Sequence, residues 1–479
     1  MKLSYSLLIW ILILFIPFES VILSNIPLPT SIYAASLYLH ELFIYMMFGL
    51  VLFQRITREG WLNKTPIDWL LIAFICLGAF STLANRAPVV DAMVNMRALL
   101  RYFALFYVVV NVEISPIAVR RFYRSLVAIA IFEVLVASFQ HFVTSPGFLL
   151  PRDSEIAIAG KTVDLKIISQ SFSGGREVGS ANATFADTIY LALFFIVIFT
   201  WILSQLSGFH KFHFHRKLWQ IFTLGFIAIG LMFTYSRASF LAALVAVPVF
   251  LVLSSKIRSL VIISLLSFIS IVTAVLVIKL ADESQVKSNA DKFINPRIAY
   301  SNPLENIAAS FSSEYYETAS SNSRGKFIVQ IGTVILKSLN LYGYSPAQDF
   351  AKEKLAEKAD LGIAAVIINA SIDDVYWMAM VIYYGWLGLF LFWMILLRLF
   401  IAARYVQRHS PTGILKNTAL TLATLIVISM PLTMIIRLWQ FRSFAIFFWL
   451  LAGIVVAEYI RIKKEKKKAE LLLVVTQVS

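Results

Sequence analysis

The chain has 479 residues, of which 59% are hydrophobic and only 14% charged, against about 25% charged in ordinary soluble domains. Mean hydropathy is +0.79, so lipid must solvate much of the chain, and a string of about three soluble domains is excluded despite the length. The formal charge of +15 reads as basic loops flanking membrane spans, and nucleic acid is not an expected partner. The single cysteine, Cys76, leaves no intrachain disulfide and no cysteine-based metal site.

A bilayer core about 30 Å thick needs about 20 apolar residues per helix. Twelve such runs occur, at 4–23, 32–54, 67–85, 98–112, 123–143, 184–206, 217–235, 238–255, 258–280, 375–400, 415–436 and 443–460. The sequence therefore predicts an all-α polytopic membrane protein of about 12 transmembrane helices. Residues 1–280 hold spans one to nine, and 281–372 form one large outward loop subdomain. Residues 373–460 hold spans ten to twelve, and 461–479 form a basic tail. The first run reads as a retained span, since Pro17 and Glu19 suit a helix and no small-residue cleavage site follows.

Orientation follows from the short loops. Arg55, Arg58 and Lys64 lie between spans two and three, and Arg120, Arg121 and Arg124 between four and five. Lys211, Arg216 and Lys217 follow span six, and Lys256 and Arg258 follow span eight. Arg398, Arg404, Arg408 and Lys416 lie around the connection from ten to eleven, and the tail carries Arg461, Lys463, Lys464, Lys466, Lys467 and Lys468. The bias predicts both termini in the cytoplasm. Half of the 42 basic residues are allotted this way.

The other connections face outward. Two are long, at 144–183 and 281–372. The second contains a helix-like stretch from Ala347 to Ala359 that suits the membrane surface. The stretch Ser310–Ser323 reads as a loop.

Arginines on the outer side run against the charge bias, so each needs a reason. Arg237 sits in Thr234-Tyr235-Ser236-Arg237, at a tight turn between two apolar runs. It is either a snorkelling side chain on lipid phosphate or part of a ligand site. Arg324 lies inside the large loop, and Arg176 lies in Gly174-Gly175-Arg176, just before span six. Each alone reads as a solvated arginine, but together they suit a phosphorylated ligand, because guanidinium groups hold phosphate oxygens bidentately. Arg97, Arg101, Arg437 and Arg442 are weaker candidates near outer span ends.

Asp373 and Asp374 stand at the outer mouth of span ten. Desolvation and a neighbouring carboxylate both disfavour ionisation, which suits one of them to act as general base for a hydroxyl. Capping the helix is the competing role. Tyr376 and Trp377 follow, as sugar-stacking residues or as aromatic-belt residues. Glu19, His40, Glu41, Glu133, Gln140 and His141 lie in or near apolar segments. For His40 and Glu41 hydrogen bonding inside the bundle is favoured over ion transport. His210, His213 and His215 have no carboxylate nearby, which argues against a metal site, and no phosphate loop or dinucleotide fingerprint occurs.

Taken in order, these pieces resemble the O-antigen ligase/polymerase superfamily of bacterial envelope glycosyltransferases, from span three onward. Arg176-x-x-Gly179-Ser180, with Asn182 and Phe185, resembles the family's arginine-glycine stretch. Ser236-Arg237 with Leu241 resembles its serine-arginine turn. Ser323-Arg324, followed by Leu341-Tyr342-Gly343-Tyr344-Ser345, resembles the second arginine and the glycine turn of its outer loop. Asp374, 11 residues before Gly385 and 14 before Gly388, resembles the ligases' histidine ahead of a glycine pair. The aspartate in place of that histidine leans toward a polymerase.

The resemblance implies a GT-C-like glycosyltransferase of the bacterial inner membrane with its site facing the exterior. The implied donor and acceptor are polyprenyl-diphosphate-linked glycans. Asp373 or Asp374 is the implied base, Arg237 and Arg324 bind the leaving diphosphate, and Arg176 assists donor binding. No metal or other cofactor is implied, and membrane lipids, a flippase and a chain-length regulator are the implied partners. The nearest variant is a ligase that transfers finished glycan to lipid A core or protein. A secondary transporter fits the span count but needs paired halves, which the sequence lacks. A non-catalytic glycolipid scaffold shares every feature but the base.

Overall fold

A computed structural model describes residues 5–26, 38–58, 60–112, 114–143, 155–158, 161–164, 181–185, 187–207, 214–234, 236–254, 324–338, 340–360, 375–434 and 436–478, with isolated positions 29, 36, 149 and 367. The predicted ninth span and the Ser310–Ser323 loop lie outside these residues, as do His210 and His213.

The body is all helical. Its elements are α1 (Tyr5–Asn25), α2 (Leu39–Arg58), α3 (Asp68–Ala84), α4 (Val89–Asn111), α5 (Pro116–Phe142), α6 (Thr188–Ser207), α7 (Phe214–Phe233) and α8 (Arg237–Ser254). They continue with α9 (Arg324–Ser338), α10 (Gln348–Ala356), α11 (Tyr376–His409), α12 (Gly413–Leu432) and α13 (Arg442–Val478). Outside the body, β1 (Glu155–Ile158) and β2 (Lys161–Asp164) pair antiparallel, with Glu155 opposite Asp164. Eight described helices, α1, α2, α4, α5, α6, α11, α12 and α13, are long and apolar enough to cross a membrane. The apolar helix α3 and the apolar stretches Lys217–Phe233 and Ala238–Ser254 are shorter. The chain has the architecture of a polytopic membrane protein.

Burial sorts these helices. α6, α12 and the start of α13 are buried nearly all round, with Leu193, Phe194, Phe195, Ile196 and Thr200 fully covered. They form the centre. α2 and α3 turn Phe53, Trp69, Phe80 and Leu83 outward, at 57–82% exposure, as lipid-facing helices do. Hydroxyls buried in the centre bond to their own helix: Thr200, Thr418, Thr421 and Thr424 each donate to the carbonyl four residues back, at 2.7–2.9 Å. This satisfies each hydroxyl without a partner helix.

The connections read as basic gather at one end of the bundle. Arg55 donates to the Asn111 carbonyl (2.7 Å), and Asn111 Oδ1 accepts from the Asn63 N–H (2.7 Å). Lys464 of the tail donates to Asn63 Oδ1 at 3.2 Å. Arg404 and Gln407 both donate to the Leu253 carbonyl, and Ser410 donates to Glu458 at 2.7 Å.

Several elements exceed their predicted limits; α5 begins at Pro116, ahead of the expected 123, and α11 ends at His409, past the expected 400. α4 begins at Val89, nine residues before the expected span edge. Arg97 and Arg101 lie near that edge, and both pair with Glu41 of α2, so the helix carries them inside. α13 runs on through the basic tail as one helix. Arg461–Glu458, Arg461–Glu465 and Lys466–Glu470 lie at helical spacings and support it there.

α11 is broken in its first third. Gly385 has φ 73° and ψ 179°, which no helix contains. All ten residues from Tyr376 to Gly385 are buried. The segment 340–344 fills the break. Trp386 N–H donates to the Asn340 carbonyl (3.1 Å), Leu387 N–H to Leu341 (3.0 Å), and Tyr344 N–H to Ile382 (2.9 Å). Gly343 also has positive φ, 82°, and any Cβ there would lie 2.2 Å from the Tyr383 carbonyl oxygen. Irregular backbone in a membrane protein survives where protein satisfies its polar groups, and here a loop does so.

Candidate functional site

The opposite end of the bundle carries the starts of α8 and α11 and the last turn of α12. Arg176, Asp373 and Asp374 lie outside the described residues, and Arg237 and Arg324 are described through their backbone, as the first residues of α8 and α9. The elements bearing them nevertheless converge. Ala181 N–H donates to the Phe233 carbonyl at 2.8 Å, so the segment after Arg176 abuts the turn that leads to Arg237. That turn is tied by the Thr234 hydroxyl on the Leu231 carbonyl (2.7 Å) and by Ser236 Oγ donating to Ser239 Oγ (2.9 Å). α8 packs along α12, and the contact of Leu253 with Arg404 and Gln407 puts its C-terminal end at the start of α12. Arg237 therefore begins α8 at the other end, beside the last turn of α12. Tyr376, the first residue of α11, donates its N–H to Thr433 just past that turn (2.9 Å). Trp377 Nε1 donates to Met430 at 3.1 Å. α9, which starts at Arg324, packs on α11, with Gly332 facing Met378.

The segment 181–185 is held by two side chains of α5. Gln140 Oε1 accepts from the Asn182 and Ala183 N–H groups (3.0 and 2.6 Å), and its Nε2 donates to Asn182 Oδ1 and the Ala183 carbonyl (3.0 and 3.1 Å). Glu133 accepts from the Thr184 N–H at 3.1 Å, and the Thr184 hydroxyl lies 2.5 Å from its other oxygen. Ala183 adopts φ 47°, the left-handed region.

Beneath the start of α11 lies a cavity of about 330 Å³. Tyr376, Tyr383, Tyr384, Tyr190 and Phe441 supply its aromatic walls. Asn95, Gln348 and Gln440 supply amides, and Arg101 and Arg437 supply guanidinium groups. Asp373 and Asp374 lie three and two residues before Tyr376 in the chain. Of the two aromatic residues expected to meet sugar, Tyr376 lines this cavity. Trp377 is buried against α12 and packs edge-on to Trp393 at 5.4 Å, with its N–H consumed by Met430, which makes it a packing residue here.

An ion network backs the cavity. Glu19 of α1 is fully buried and sits 2.9 Å from His40 Nδ1 and 2.7 Å from Arg442. Glu41 meets Arg97 at 3.2 Å and Arg101 in a shorter contact. Arg101 also donates to the Gln440 carbonyl (3.3 Å), and Arg442 to Ser20 (3.0 Å). His40 and Glu41 are thus hydrogen-bonded inside the bundle, as their sequence context suggests. Buried charge in a membrane is costly unless paired, and these pairs join α1, α2, α4 and α13. Arg101 and Arg437, which in the sequence rank below Arg237 and Arg324, line the cavity itself. Their only signal in the sequence is position at a span end.

The chain matches no known protein-family model, and a search of curated proteins finds no match.

Proposed function

We propose that this protein is an integral-membrane glycosyltransferase that polymerises polyprenyl-diphosphate-linked oligosaccharide repeat units at the outer face of a bacterial inner membrane. The observation that carries the reading is that α8 and α11 both begin beside the last turn of α12, and that the start of α11 lines a cavity walled by aromatic, amide and arginine side chains. Both termini are cytoplasmic in this reading, which accords with the clustering of basic connections at the far end.

In the reaction, Asp373 or Asp374 removes the proton from the acceptor's terminal sugar hydroxyl. The hydroxyl oxygen bonds to the donor's anomeric carbon. The bond from that carbon to the diphosphate oxygen breaks, and its electron pair leaves on the lipid diphosphate. Arg237 and Arg324 bind that group and stabilise its developing charge, an effect worth about 3–4 kcal/mol for one preorganised contact. Arg176 assists in holding the donor. The donor arrives already activated, so no nucleotide is consumed.

The test is genetic. Arg237→Ala and Arg324→Ala should each leave the protein inserted and abolish long glycan chains on a gel. Single repeat units left on the acceptor mark a polymerase, and glycan left wholly on the lipid carrier marks a ligase. Normal chain-length ladders in both variants would remove the diphosphate role. Asp373→Asn and Asp374→Asn should differ sharply from each other; equal and mild effects would return both aspartates to capping.

A further inference from the structure

We infer that the cavity under the broken helix is the subsite for an uncharged terminal sugar of the acceptor glycan, not a second phosphate site; this deepens the proposed reaction and rests on it. Size comes first. About 330 Å³ is at the lower end of the roughly 300–1,000 Å³ found for small-molecule sites. It suits the end of a glycan and not a whole repeat unit.

The lining chemistry comes second. Tyr190, Tyr376, Tyr383, Tyr384 and Phe441 line the cavity, and aromatic surface of this kind suits the C–H groups of a pyranose. Asn95 and Gln348 line the same space without a hydrogen-bond partner among the described residues. An amide that both donates and accepts matches a sugar hydroxyl, which does the same. The positive charge is already spent. Arg101 is held by Glu41 and the Gln440 carbonyl, and Arg437 makes interactions of its own. A phosphate is held best by a whole guanidinium fork, and that of Arg101 is engaged by Glu41 and the Gln440 carbonyl. The wall nearest Arg101 is polar, with that guanidinium turned onto Glu41.

The site's place in the fold agrees with an acceptor role. Gln348 opens α10 and Tyr376 opens α11, and Asp373 and Asp374 lie three and two residues before Tyr376 in the sequence.

The experiment uses the full chain, purified in detergent and fluorescently labelled, on a printed array of neutral and uronate-bearing oligosaccharides. We expect capture by a subset of glycans that end in neutral sugars. The double variant Asn95→Ala/Gln348→Ala should lose at least tenfold of that signal while its unfolding midpoint stays at the wild-type value. Asp373→Asn and Asp374→Asn should retain capture. A sugar-free polyprenyl diphosphate, added as competitor, should leave the signal in place. Displacement by that competitor, preference for uronates, absence of capture by the wild type, or unchanged capture by the double variant would each overturn the inference. These outcomes are separable from the reaction itself: normal ladders in a strain lacking the protein, with neutral-glycan capture by the purified chain intact, would sink the polymerisation reading and leave the sugar site standing.

Discussion

Gly385→Ala is expected to unseat the site by breaking one backbone crossing. At φ 73° and ψ 179° the residue occupies a region that is essentially glycine-only, where a side chain costs about 1–3 kcal/mol. Space is also lacking. A Cβ would lie 2.2 Å from the Leu341 carbonyl oxygen and 2.5 Å from the Gly343 nitrogen. Backbone cannot swing away as a flexible side chain can, so the loop must lift. That movement removes the bonds from Trp386 N–H to Asn340 and from Leu387 N–H to Leu341, worth about 1 kcal/mol each. The total is about 3–5 kcal/mol, a large share of the roughly 5–15 kcal/mol that holds a typical fold together. Unfolding by SDS titration from mixed micelles reads it directly. Gly343→Ala should cost a similar amount, since its Cβ would strike the Tyr383 carbonyl. The two changes break the same crossing, so the double variant should cost clearly less than the sum. Gly49→Ala, where a Cβ would meet nothing within 4 Å, serves as control and should be neutral or slightly stabilising. A Gly385→Ala protein as stable as wild type, or full additivity with Gly343→Ala, would refute the crossing.

Other outcomes follow from the same contacts. Glu41→Gln strands Arg97 and Arg101 and should destabilise by about 3 kcal/mol, the low end for a broken buried pair, because Arg97 is 39% exposed. Arg97→Gln leaves the Arg101 pair intact and should cost under about 1 kcal/mol in the same titration. Gln140→Ala removes the acceptor for two backbone N–H groups and should cost about 2–4 kcal/mol, with new protease cleavage near residue 182; an uncleaved, wild-type-stable variant would contradict the clamp. Cysteines placed at Lys464 and at Gln348 should label from opposite sides of the membrane, and outer-face labelling at Lys464 in intact cells would reverse the proposed orientation.

Much of the helical layout was legible because apolar runs must cross lipid whole. Apart from α9 (Arg324–Ser338), which lies in the large loop where the sequence predicts no helix, the described helices fall on the predicted runs, including the short α10 within Ala347–Ala359. Errors came where a charge was read alone. Arg97 and Arg101 ranked only as weaker site candidates near a span end because their partner, Glu41, lies 56 and 60 residues away in sequence. The tail read as a loose basic run, since its helical pairs needed a helix already in place. Gly385 looked like one member of a glycine pair, and nothing local announced that a loop 40 residues upstream would occupy the gap. The cavity was the least legible. It is assembled from α4, α6, α10, α11 and the 437–441 turn, and no two of its walls share a sequence pattern.

The clasp between Gly343 and Gly385 also constrains biosynthesis. The 340–344 backbone must wait, already delivered to its side of the membrane, until Tyr376–Leu387 emerges from the ribosome and offers the carbonyl and N–H groups that complete it. Insertion of α11 as a single uninterrupted helix would leave that earlier loop without its seat. The crossing can form only once both segments are made, and the cavity is complete later still, when the 437–441 turn supplies its last wall.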